Sequence, residues 1–224
     1  KFTDITKTFN RNFKHFGNFI GHSNKYRLET SSQLRANYQD KTIQSYHCTV
    51  TEPYHREYIG LEDLMFIGKD KSVIDYAYQH IVQGPIELDN IDSFPILQPA
   101  NINILKYYPQ FFVEIVSLTY WSGNTFYIDE KIWRPILMRT PFIVQGPKDF
   151  MQRFRSLGFK TFDRWWDEGH SEDHADFQPK AIVELLNKIS QFTLKDIERI
   201  LTEMHSTLEH NYNLISSLRT QNSP

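Results

Sequence analysis

From Phe111 to Gly146 the chain reads FFVEIVSLTYWSGNTFYIDEKIWRPILMRTPFIVQG: an apolar strand, a Gly/Asn loop, a charged helix start and a second apolar strand. That order leaves few arrangements, because strands joined through a helix lie parallel in one sheet with the helix on a face. Phe111 to Tyr120 is β-branched and aromatic with one carboxylate inside it, Glu114, and WSGN ends the run with turn-forming residues. Asp129 is placed to cap the next helix, with Glu130 and Lys131 in its first turn. The free N–H groups and dipole of a helix start favour anions, so a lysine there suits a phosphate-bearing ligand. The carboxylates beside it suit ribose or sugar hydroxyls. Pro135, about two turns in, either bends this helix or marks a later start of its regular part. The second strand, Pro141 to Val144, ends at QGP.

The same alternation runs through the rest of the chain. His15 to Gly21 reads as a strand and Lys25 to Tyr38 as a helix, with Leu28 and Leu34 at helical spacing and Ser23 and Asn24 as capping candidates. Arg27 falls in the first helical turn, where it either faces a phosphate or lies on a solvated face. Thr42 to Val50 reads as a second strand, Leu61 to Gln83 as a helix with Ile74, Tyr78 and Ile81 on one face, and Asn101 to Tyr108 as a short helix. After Gly146, Phe150, Phe154 and Leu157 mark a helix ended by Gly158, with a short strand at Phe159 to Phe162. WWDEGHSEDHADF reads as a solvated loop, apart from Trp165 and Trp166, which suit packing. Pro179 to Ser190 and Thr193 to Leu218 close the chain as helices, the last with Ile197, Ile200, Leu201, Met204, Leu208 and Ile215 along one stripe.

Alternating strands and helices predict an α/β fold with a parallel sheet and helices on both faces. Its expected organisation is a leader or linker remnant at 1–14, one domain at 15–192, and a C-terminal helix and tail at 193–224. Ligands of such sheets bind at the carboxyl ends of the strands. Arg27, the loop before Asn124, and Glu130 with Lys131 all follow predicted strands and are placed to converge there. Neither GxGxxG nor GxxxxGK occurs, which argues against a dinucleotide or ordinary ATPase site.

Twenty-five basic residues against twenty-seven acidic leave a formal charge of −2, which calls for neither nucleic acid nor an anionic membrane as partner. A single cysteine, Cys48, excludes an internal disulfide framework and reads as a small half-buried apolar residue. His47, His55 and His80 lack metal-ligand spacing and no cysteine pair accompanies them, so no metal is expected. No apolar run approaches the ~20 residues of a membrane span. A cytoplasmic protein of bacterial or viral origin is the expectation.

These residues resemble the donor-binding, C-terminal half of GT-B glycosyltransferases, most closely the fucosyltransferase-like group. That pattern is a strand carrying FE, a variable loop, a YVTEK or YITEK helix start, then a Lys/Arg-Pro segment running into PFI or PVV and a glycine. FFVEIVS, FYIDEK, WRPILMRTPFIVQG, LGFKTF and WWDE match in order, and FIGHSNKYRLETSSQL resembles the group's strand, Ser/Asn turn and Arg-bearing helix. The resemblance spans about Phe16 to Ile189. The threonine before EK is Asp129 here, and FENS is reduced to FVEIVS.

The resemblance implies a Rossmann-like domain that takes a nucleotide-diphospho-sugar, GDP- or UDP-linked, as donor substrate with no other cofactor. Arg27 and Lys131 would contact the diphosphate, Glu130 the ribose, and Glu114 would lie near the donor sugar as the candidate catalytic carboxylate. Ser23, Asn24, Asn124 and Tyr127 complete the implied donor-binding set. Sugar transfer to a glycan or other hydroxyl acceptor, inverting and metal-independent, is the implied activity. The general base would lie in an N-terminal acceptor domain outside this chain. A non-catalytic nucleotide-sugar-binding or scaffold module is the alternative.

Overall fold

The computed structural model of the protein describes residues 7–21, 24–46, 71–84, 86, 88, 102–119, 126–171 and 178–221. Four strands, β1 (Lys14–Ile20), β2 (Thr42–Tyr46), β3 (Phe111–Ser117) and β4 (Phe142–Gln145), form one parallel sheet in the order β2-β1-β3-β4. Among the described residues, six α-helices accompany them: α1 (Lys25–Tyr38), α2 (Lys71–Val82), α3 (Glu130–Leu137), α4 (Phe150–Ser156), α5 (Gln178–Ile189) and α6 (Leu194–Gln221). A 3₁₀ helix, Ile102–Gln110, leads into β3. This is a Rossmann-like α/β sheet. The chain passes from β1 through α1 to β2 on one side, then returns across β1 to build β3 and β4 on the other. The direction of winding therefore reverses between β1 and β3, and a crevice opens at the carboxyl ends of such strands.

All seven residues of β3 are buried, as its unbroken apolar run requires of a strand covered on both faces. Neighbouring strand residues point to opposite faces. Asn18 donates to Ser31 Oγ of α1 at 2.8 Å, whereas the Phe19 ring lies 5.9 Å from the Arg134 guanidinium of α3, so α1 and α3 cover opposite faces.

Segments beyond the sheet join the same core. In the predicted leader, Thr8 N donates to Pro109 O at 2.8 Å, Phe13 is buried, and the Lys7 ammonium donates to Tyr108 O, Phe111 O and Thr140 Oγ1. On α6, Ile197, Ile200, Met204, Leu208 and Ile215 share one cluster with Phe112, Phe142 and Phe154, while Leu201 is only partly buried. Trp166 is buried in that cluster and Trp165 packs against it.

Three details depart from the expected pattern. The strand expected at Phe159 to Phe162 does not form. Both backbone groups of Lys160 bond instead to the Asn211 side chain at 2.8 Å, and the Phe159 and Phe162 rings pack on Phe154 and Phe142 at centroid distances of 4.2 and 5.1 Å. On α2 the buried face is Ala77, His80 and Ile81, and Tyr78 turns out to 43% exposure because α1 packs along the other side. α3 begins at Glu130 and runs through Pro135, so the later start does not hold. It ends with Arg139 in the left-handed region at φ 46°, where Thr140 N donates to Pro135 O and Arg139 N to Ile136 O. That strained residue is anchored on α6 by Glu209 and by the Tyr212 ring, 3.7 Å below its guanidinium.

Gly17 has a packing role: a Cβ there would meet the buried Phe111 ring at 2.6 Å, and that ring is wedged against Phe19 and Tyr108. Gly17→Ala is expected to destabilise the fold by about 1–3 kcal/mol, read as a lower urea midpoint with an unchanged denaturant slope; an unchanged midpoint would mean that the ring moves freely.

Candidate functional site at the carboxyl edge of the sheet

Asn24 caps α1: its Oδ1 accepts from Arg27 N at 2.9 Å, the bond that Ser/Thr/Asn/Asp caps supply to free amides. Capping places Arg27 in the first turn, beside the crevice. Its NH2 group donates to Ser117 O at 3.0 Å, the last carbonyl of β3, and to Leu118 O just beyond it at 2.8 Å, and the residue is 5% exposed. Of the two readings of Arg27, a solvated helix face is excluded. Burial pulls the guanidinium below its ordinary pKa, and the Asp129 and Glu130 carboxylates oppose that shift. Arg27 thus ties the start of α1 to the end of β3, and the carboxylates at the start of α3 are near enough to act on its charge.

That group is compact. Asp129 caps α3 through Oδ1, which accepts from Lys131 N at 3.0 Å, and its Oδ2 accepts from Lys131 Nζ at 3.1 Å and from Thr119 N and Oγ1 at 3.4 Å. Lys131 Nζ also donates to Glu130 Oε1 at 2.7 Å and Thr119 Oγ1 at 3.1 Å. Asp129 is 3% exposed, the Lys131 side chain 19% and Glu130 41%, so Glu130 and Lys131 form the face open to a ligand. Burial works to raise the Glu130 carboxyl, but the hydrogen bond and charge of Lys131 outweigh it and hold it below 4.5. Tyr127, two residues before the cap, is 57% exposed. Ser23 and Asn124 lie outside the described residues, as do Cys48, His47 and His55.

Glu114 departs from the expectation. It lies in the middle of β3, in register with Gly17 and Phe142, and is fully buried rather than set beside a sugar. Tyr108 Oη donates to its Oε2 at 2.5 Å and Arg134 to its Oε1 at 3.0 Å. Burial raises its pKa and Arg134 opposes the rise; burial and Glu114 together push the Tyr108 hydroxyl well above 10. The carboxylate is a core ion-pair partner.

Beneath the edge runs a ladder of buried polar side chains. Gln145 of β4 donates to Thr30 Oγ1 of α1 and accepts from Ser117 Oγ of β3, each at 2.9 Å. Gln178, at the start of α5, accepts from Gly146 N at 3.1 Å and donates to Gly146 O at 2.8 Å. Asn18 and Gln145 carry a legible signal, a lone amide within an apolar run. Lys7, Thr119 and Arg134 carry none, being ordinary polar residues until the fold gives them partners. Among the described residues, no group of three or more His, Cys, Asp or Glu could hold a metal, and no helix is long and apolar enough to cross a membrane. In comparisons with known proteins, no family model, no curated sequence and no solved structure matches the chain.

Removing the cap by Asp129→Ala is expected to cost about 1 kcal/mol, measured by urea unfolding; no loss would show that Thr119 or water replaces it. Lys7 adds a pH test. Burial pushes its ammonium down to about 7 from 10.5, with Glu114 partly opposing. Between those values the unfolded chain binds more protons, so the stability Lys7 contributes rises with pH through this window and is lost as pH falls toward 7. The wild-type urea midpoint should climb relative to Lys7→Met across the window, and a constant difference would refute the assignment.

Proposed function

We propose that the chain is a glycosyltransferase domain that takes a GDP- or UDP-linked sugar and transfers it to a hydroxyl of a glycan or similar acceptor, with inversion and without a metal. One observation carries the reading. Arg27 of α1 bonds to Leu118 O and Asp129 at the cap of α3 accepts from Thr119 N, so Arg27 and the Asp129–Glu130–Lys131 group, far apart in sequence, hold adjacent residues at the end of β3, beside the point where the winding of the sheet reverses. The ordered resemblance to GT-B donor lobes supplies the substrate class.

In this proposal the acceptor oxygen bonds to the anomeric carbon as the bond from that carbon to the diphosphate oxygen breaks, and the electron pair leaves with the diphosphate. Lys131 and the positive end of the α3 dipole stabilise the growing negative charge, an interaction stronger in the transition state than in the ground state. Glu130 accepts from the ribose hydroxyls and Tyr127 lines the same opening. Arg27 holds the end of β3 in place with NH2 and adds positive potential to the crevice. The acceptor proton passes to a base in an acceptor domain outside this chain. Asp129 is compatible with a phosphate because its charge is taken up by the cap and by Lys131.

The alternative, a nucleotide-sugar-binding module without transfer, is favoured by the three oxygens of its own chain that already surround the Lys131 ammonium. Melting curves with GDP and UDP test the site. At a hundredfold excess over Kd a ligand adds about 2.7 kcal/mol, so one nucleotide should raise Tm by several degrees and Lys131→Ala should abolish the rise. If neither nucleotide shifts melting, the donor site is refuted. Binding without hydrolysis or transfer of the donor sugar selects the module.

A further inference from the structure

Arg134 lies one turn beyond Glu130 on α3 and reaches down into the core, away from the crevice. Its surroundings show what fixes the start of α3. The helix has eight residues with a proline inside, so the Lys131 carbonyl lacks the amide that position 135 would otherwise donate. A helix this short does not persist alone, and its placement comes from tertiary contacts. Ile132, Pro135 and Ile136 supply the apolar ones, which are non-directional and tolerate rolling or sliding. Arg134 supplies a directional one: NH2 donates to Glu114 Oε1 at 3.0 Å, with the guanidinium carbon 5.9 Å from the Phe19 ring.

The other end of that contact is itself rigid. Glu114 sits in a strand paired on both sides, and Tyr108 holds its second oxygen at 2.5 Å. Beyond Glu114, the Asp129 and Glu130 carboxylates and the Tyr108 hydroxyl also act on the Arg134 charge. The Lys7 ammonium, from the segment that precedes β1, bonds to Tyr108 O and Phe111 O nearby, and its charge also acts on Glu114. The guanidinium is thus bonded to one carboxylate in the core and feels the charge of two more at the start of its own helix.

We infer that Arg134 is a positioning residue for the site: its ion pair with Glu114 sets the orientation of α3, and so where Glu130 and Lys131 stand at the crevice. As a statement about donor binding this rests on the function proposed above. As a statement about α3 it does not, and the two are tested apart.

The first arm is amide hydrogen exchange on the protein without ligand. Lys131 N bonds to the Asp129 cap and Ile132 N to Asp129 O, so both amides report on the helix start. Arg134→Met should speed their exchange about tenfold or more, and Arg134→Lys, which keeps a cation, should recover part of the protection. Glu114→Gln preserves shape and should show the same effect if Arg134→Met does not fold. Unchanged exchange at Lys131 and Ile132, or an equal increase at Leu185 to Ile189 of α5, overturns the proposal, the latter because the loss is then global. The second arm measures GDP and UDP affinity. Glu114→Gln should weaken binding of whichever nucleotide the wild type takes, and Arg134→Lys should lose less affinity than Arg134→Met. Wild-type affinity in Glu114→Gln overturns action on the site. If the wild type binds neither nucleotide, the donor reading falls, and the exchange result still decides whether Arg134 positions α3.

Discussion

A carboxylate with no access to water sits at the centre of the strand on which the sheet is built. Burying a lone carboxylate costs roughly several kcal/mol even after the protein relaxes, so Glu114 is tolerable only with its partners in place. Two partners bond to it from different stretches of chain: Tyr108 from the 3₁₀ helix before β3 and Arg134 from α3. Satisfying one charge thus fixes two segments on one face of the sheet, and Lys7 ties the segment ahead of β1 to the carbonyls of Tyr108 and Phe111 beside them.

The opposite face is organised by hydrogen bonds between neutral groups. Asn18 ties β1 to α1 and β2, Gln145 and Ser117 tie β4 and β3 to each other and to α1, and Arg27 closes the gap between α1 and the end of β3. These contacts gather where the strand order reverses, the one place where neighbouring strands are followed by connections that diverge. The opening formed there is neither a hydrophobic slot nor a bare cationic surface. Its cations are paired with Asp129, Glu130, Thr119 and backbone carbonyls, so an anionic ligand gains most where it adds to those bonds without breaking them. That favours a ligand with hydroxyls for Glu130 as well as phosphate for Lys131.

Much of the architecture was legible because the signals were local. Asn24 and Asp129 announce helix starts through capping chemistry that needs only the next three residues, and both caps are present. The unbroken apolar run of β3 and the stripe on α6 predict burial, and burial is found. Where local signals were ambiguous, neighbours decided. Phe159 to Phe162 has strand composition, but Asn211 satisfies the Lys160 backbone and no ladder forms. Tyr78 has the right spacing for an inner face, yet α1 packs on the other side of α2.

By itself the sequence determined the alternation of strands and helices, the parallel sheet they form, the caps, and the placing of charged residues at helix starts after strands. All of these follow from periodicity and short-range chemistry. The tertiary structure alone decided what those charges do. Glu114 could not be told from a site residue by composition, since a carboxylate in a strand becomes either a ligand contact or a core ion pair according to what packs over it. Arg134 acquires meaning only through that carboxylate, and Arg27 and Lys7 only through carbonyls some ninety to a hundred residues away. Partnership across such distances is set by three-dimensional packing, which no window of sequence contains.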